Sequence, residues 1–123
     1  MNHLFANYKL SLLAKEKGFD EPCLAWYFQE DKTKQFVLSD EFGVKKKNLR
    51  DKSIVAPLYQ QLVDWFREKH NIFIKVTFYK NDGYYSSVGE LDTDSMNHKF
   101  SAKDCKTYYE ALTKAIQEAF LLI

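Results

Sequence analysis

The stretch PLYQQLVDWFREKHNIFIKVTFYKNDGYYSSVGEL, residues 57–91, decides the fold. Its first part reads as a helix over residues 57–69. Pro57 suits the first helical position, where its missing N–H is no loss. Leu58, Leu62, Trp65 and Phe66 recur at i, i+4, i+7 and i+8 and make one apolar stripe, while Asp64, Arg67 and Glu68 look outward. Asn71 supplies a left-handed stop. The period then changes from helical to alternating. Ile72, Ile74, Val76 and Phe78 interleave with Phe73, Lys75, Thr77 and Tyr79, the pattern of a strand over 72–79. Asn81-Asp82-Gly83 signals a tight turn. Residues 84–91 return as the partner strand, with Gly89 a candidate bulge.

Upstream, CLAWYFQ (23–29) is an aromatic strand bounded by turn residues, and 34–38 pairs back on it as a hairpin. Leu24, Trp26 and Phe28 share one face, which is assigned to the core; Cys23, Ala25 and Tyr27 share the other. Residues 7–17 form a first helix, with Tyr8, Leu12 and Leu13 on one side and Lys9, Lys15 and Lys17 mostly on the other. Gly18 ends it, and Asp20-Glu21-Pro22 turns the chain. SDEFGVKKKNLRDKSIVA (39–56) has no clean period; it holds either a short strand at 53–55 or a functional loop.

Downstream, residues 92–94 turn and 96–100 add a short fifth strand. Ser101 is read as the cap of the last helix, with Asp104 three residues on. Cys105, Tyr108, Tyr109, Leu112, Ile116, Ala119 and Phe120 mark that helix's apolar face. The expected order is α-β-β-α-β-β-(β)-α. That is an α+β two-layer sandwich: one antiparallel sheet of four or five strands, with 72–79 central and the helices on one face. Leu24, Trp26, Phe28, Leu58, Leu62, Phe66, Ile74, Val76, Leu112 and Ile116 are its expected core.

The chain has 123 residues, the length of a single domain spanning 1–123. Lys plus Arg number 18 against 17 for Asp plus Glu, so the net charge of +1 excludes a strong global field toward nucleic acid or anionic lipid. No apolar stretch approaches the roughly 20 residues a spanning helix needs. The start, MNHLFANYKL, lacks the pattern of a secretory signal. A cytoplasmic protein with no membrane contact is expected, and in that compartment Cys23 and Cys105 are expected as free thiols.

Patterns that carry chemistry are missing. His3, His70 and His98 stand apart, and no Cys-x-x-Cys occurs, so no metal is expected. Gly occurs four times with no cluster that could cradle a phosphate. Asp20-Glu21 and Asp92-Thr93-Asp94 could pair carboxylates for acid–base work, but acidic residues at turns ordinarily bond the local backbone. Cys23 has no neighbouring base, and cysteine is among the most buried residue types. The expectation is a non-enzyme without a cofactor.

Three binding surfaces compete. Lys45, Lys46, Lys47 and Arg50, with Lys52 beside them, are the one basic cluster, diluted by Asp40, Glu41 and Asp51; as phosphate contacts they make the alternative reading, a nucleic-acid-binding module using residues 45–52. Phe73, Tyr79, Tyr84 or Tyr85 could stack bases on an open sheet face, although aromatics more often fill cores. The third surface is a protein interface, either a homodimer or an unknown protein partner, covering the Phe73, Lys75, Thr77 and Tyr79 face or the apolar end at Phe120 and Leu121. This third reading is preferred.

LAKEKGFDEPCLAWY (13–27), APLYQQLVDWFREKHNIFIKV (56–76) and YYEALTKAIQEAF (108–120), in that order, resemble a family of short uncharacterised proteins of bacteriophages, prophages and mobile elements, notably of Bacteroides-type bacteria. The similarity covers most of the chain and is weakest over 39–53 and 79–99. It brings no catalytic residues. It implies an accessory protein of a phage or mobile element that acts in the host cytoplasm.

Overall fold

A computed structural model of the chain describes residues 2–30, 33–39, 53–91 and 96–123. The architecture is α+β, with antiparallel sheets throughout. The chain divides into two compact units, Met1–Gln61 and Leu62–Ile123.

In the first unit a short 3-10 helix, Asn2–Leu4, precedes helix α1, Tyr8–Glu16. The Asn7 side chain caps α1, its Oδ1 accepting from the Leu10 N–H at 2.8 Å. Gly18 follows the helix at φ 92°, the left-handed stop expected of it. The buried face of α1 is Leu10, Ser11 and Ala14 rather than Tyr8, Leu12 and Leu13. Tyr8 instead meets the Tyr27 ring edge-on at 5.7 Å.

The sheet of this unit comprises β1 (Ala25–Glu30), β2 (Thr33–Leu38) and β3 (Ser53–Ala56), in the order β2-β1-β3. The strand suspected at 53–55 is therefore β3. Ala25 lies opposite both Leu38 and Ala56, so β2 and β3 flank β1 and run in the same direction. Ala25 at the start of β1 and Cys23 just before it are buried, whereas Leu24, Trp26 and Phe28, the face expected in the core, are only half-buried. The reason is shape. The facing pair Ala25 and Ala56 is flat and admits Phe5, and these three residues form a buried cluster against which Leu24, Tyr27, Phe36 and Leu58 pack. The Tyr27 hydroxyl then donates to the Ala6 carbonyl at 2.9 Å.

Helix α2, Tyr59–His70, begins with the Leu58 N–H donating to Gln61 Oε1 at 2.9 Å. It ends at Asn71, whose φ of 54° is the expected stop. In the second unit, β4 (Ile72–Tyr79), β5 (Gly83–Leu91) and β6 (Met96–Cys105) form a meander in the order β4-β5-β6, and α3 (Tyr108–Leu121) packs on it. The buried side of α3 is Ala111, Leu112, Ala115, Ile116, Ala119 and Phe120. Its alanines admit close approach. The Phe120 ring lies 4.8 Å from Phe66, which also meets Trp65 at 5.1 Å.

Several expectations change here. In place of one sheet of four or five strands there are two sheets of three: β3 takes the second edge of β1, and β6 takes the second edge of β5. Among the described residues the strand 72–79 is accordingly an edge, with β5 central. Leu62, Phe66, Leu112 and Ile116 are buried as expected, whereas Ile74 and Val76, on the edge, are half-buried. The last strand does not stop at 100. Ala102 pairs with Ser86 and Cys105 with Tyr84, so Ser101 lies inside β6 and caps nothing. Thr107 is the cap: its Oγ1 accepts from the Glu110 N–H at 3.1 Å, and Glu110 Oε2 accepts from the Lys106 N–H at 3.1 Å. The irregular register falls between Tyr84 and Ser87, while Gly89 pairs regularly with Phe73 and His98.

Candidate functional site

The β4–β5 turn sets the site. The Asp82 N–H donates to the Tyr79 carbonyl at 3.0 Å, and Gly83 follows at φ 89°. This register places Phe78 opposite Tyr84 on the face toward α3, and Tyr79 opposite Gly83 on the other face. Capping by Thr107 starts α3 at Tyr108, so its first turn supplies two more rings. On the helix side the rings run from Phe78 to Tyr84 at 4.9 Å, from Tyr84 to Tyr108 at 6.3 Å and from Tyr108 to Tyr109 at 5.2 Å. On the far face Tyr79 reaches diagonally past Gly83 to Tyr85, with ring centroids 4.9 Å apart.

A polar anchor lies on the far face. The Tyr85 hydroxyl donates to Asp104 Oδ1 at 3.1 Å, and Asp104 adopts φ 56° beside it. Loss of water around the ring, and then the Asp104 carboxylate, hold the Tyr85 hydroxyl above its ordinary value, so it remains a donor at neutral pH. Three rings of this tip are widely exposed: Phe78 at 58%, Tyr79 at 45% and Tyr108 at 42%. A tilted contact on Phe78 and edge-on contacts on Tyr79 and Tyr108 arrange these rings, and pre-arranged aromatics are the side chains that anchor protein interfaces.

The sequence-derived candidates fall unevenly. Tyr79 is part of the tip. Phe73 lies on the same face of β4 and is half-buried. Phe120 is 2% exposed, packed on Phe66, and offers no surface; its neighbour Leu121 is 78% exposed. The four aromatics weighed as one stacking platform are split, with Phe73, Tyr79 and Tyr85 on one face and Tyr84 on the other. Lys45, Lys46, Lys47 and Arg50 lie outside the described residues, as do Asp92 and Asp94. The alternation of β4 places Phe78 on the face of Ile74 and Val76, and the apolar pattern of the last helix includes Tyr108, yet both rings are exposed. The signal for Tyr108 was Thr107-x-x-Glu110, a capping pattern that starts the helix at Tyr108 and so brings its first turn to Tyr84 and the turn end of the hairpin.

Both thiols are free and buried. Burial, with Glu21 nearby, pushes the Cys23 thiol up to about 12, so it is neutral at physiological pH and a poor nucleophile. Among the described residues no cluster of three His, Cys, Asp or Glu side chains could hold a metal, and no helix is long and apolar enough to cross a membrane. Neither a protein-family model, nor a curated protein, nor a solved structure matches the chain. The functional reading therefore rests on the geometry of the tip and on the residues themselves.

Proposed function

We propose that the chain is a small non-enzymatic accessory protein of a phage or mobile element that works in the host cytoplasm by binding protein. The observation that carries the binding reading is the aromatic tip, with Phe78, Tyr79 and Tyr108 exposed and their rings in contact with Tyr84, Tyr85 and Tyr109. Exposed apolar groups held together at one end of a unit are the composition of an interface centre rather than of ordinary solvated surface. The near-balance of charge supports an apolar contact over an electrostatic one. The phage or mobile-element setting rests on the three resembling segments.

Titration with mixed single- and double-stranded nucleic acid at low and physiological salt tests this reading against its main competitor. The expected result is no binding at physiological salt. Micromolar binding that weakens steeply as salt rises, and that is lost on replacing Lys45, Lys46, Lys47 and Arg50 by Ala, would establish phosphate contact and displace the protein-binding reading.

A further inference from the structure

We propose that the outer edge of β4 takes the β4 of a second copy of this chain, antiparallel, joining two second units through one six-stranded sheet. The proposal rests on the protein-binding reading and names its partner.

Among the described residues no strand pairs with β4 on the side away from β5. An edge strand carries unpaired backbone N–H and C=O groups, and proteins blunt such edges by shortness, charge, proline or a bulge. Two of the other three edges are blunted. β3 has four residues. β6 breaks register against β5 and carries exposed Lys103 and Asp104, the latter at positive φ. β2 is the shorter strand, at six residues, and like β4 its sequence carries one charge, Lys34. β4 runs eight residues in unbroken register with one charge, Lys75, and no proline, and it ends in the exposed rings of Phe78 and Tyr79. An extended strand is the ligand that such an edge fits.

Self-pairing has a register that suits these side chains. With Val76 on the two-fold axis, Val76 faces its own copy and Ile74 faces Phe78 of the second copy. On the other face Phe73 meets Tyr79 and Lys75 meets Thr77. Every exposed ring of β4 then gains an apolar neighbour, and no like charges stand opposite each other. Centring on Lys75 would oppose two ammonium groups. Centring on Ile74 would leave Phe78 and Tyr79 beyond the paired region.

Sedimentation equilibrium of the full chain over a wide concentration range, with charge variants at the Lys75–Thr77 contact, tests this. Thr77 is half-buried on the face away from α3, so these variants do not enter the core. Thr77→Lys sets two symmetry-related like-charge pairs in place and is expected to raise the dimer dissociation constant about tenfold. Thr77→Glu is expected to lower it. Lys75→Glu combined with Thr77→Lys sets opposite charges across the same contact and is expected to lower it below the native value, as Thr77→Glu does. A native chain that stays monomeric overturns the proposal, and so does a dimer indifferent to all three changes. A monomer that still binds another protein through Phe78 or Tyr108 overturns the pairing and leaves the protein-binding reading standing; a monomer that binds none removes both.

Discussion

The backbone carbonyl oxygen of Cys105 lies 2.6 Å from the point where a Cβ on Gly83 would stand. The end of β6 is thus laid directly over the turn that begins β5. Gly83 also sits at φ 89°, where a side chain is strained whatever the space. Gly83→Ala combines both effects and is expected to destabilise the protein by about 2–3 kcal/mol. Gly18 shares the strained φ but has open space around it, so Gly18→Ala is expected to cost only about 1 kcal/mol. Urea denaturation of the two variants side by side checks the difference.

Phe66 is fully buried among Trp65, His70 and Phe120. Phe66→Ala removes its transfer energy and leaves a cavity, with an expected loss of about 3–5 kcal/mol. Phe78→Ala changes a ring that is mostly in water and is expected to stay within about 0.5 kcal/mol. Equal losses in thermal or chemical unfolding would show that the tip is part of the core.

The two candidate caps of the last helix separate cleanly. Thr107→Ala removes the bond to the Glu110 N–H and is expected to cost about 1 kcal/mol. The Ser101 hydroxyl is a buried group with no bond, so Ser101→Ala is expected to be neutral or slightly stabilising. Guanidine unfolding of both variants decides which residue starts α3.

These contrasts also show what could be read from the chain. Helix α2 and strands β4 and β5 were legible because a 3.6-residue period gives way at Asn71 to strict alternation and then to an Asn-Asp-Gly turn. Strand β3 was only suspected, since SIVA is buried on both faces and shows no alternation. Which face of β1 turns inward was not legible, because both faces are apolar; the pairing of Ala25 with Ala56, a long-range fact, settles it. The extension of β6 was hidden by a decoy. Ser101-x-x-Asp104 imitates a capping pattern, and only pairing with β5 distinguishes it from Thr107-x-x-Glu110. The division into two sheets was hidden for the same reason, since strand partners are set by tertiary contacts. At the candidate site Tyr79 was visible as an alternating outward residue, whereas Phe78 was not, because its alternation places it with Ile72 and only its position at the end of the hairpin exposes it.

Cys23 makes stability depend on alkaline pH. Its thiol is neutral in the fold up to about 12, while in the unfolded chain it ionises near its ordinary value of 9.0. Below pH 9 both states hold the proton and this contribution is fully present. As pH rises from about 9 toward about 12 only the unfolded chain loses the proton, so stability falls. Against Cys23→Ala, the native chain is expected to lose about 2 kcal/mol more between pH 9 and pH 11. Parallel pH dependences, or rapid alkylation of Cys23 in the folded chain at pH 7, would contradict the burial that causes the shift.

Site-specific photo-crosslinking in bacterial cells that express the chain tests the proposed binding role of the aromatic tip most directly. A photoreactive residue is placed at Phe78, at Tyr108 or, as a control, at the exposed Glu68 of α2. Discrete protein adducts are predicted from positions 78 and 108 and not from 68; a product of twice the chain's mass would identify a second copy. Nucleic-acid adducts at the tip, or adducts no more frequent at 78 and 108 than at 68, would contradict the account.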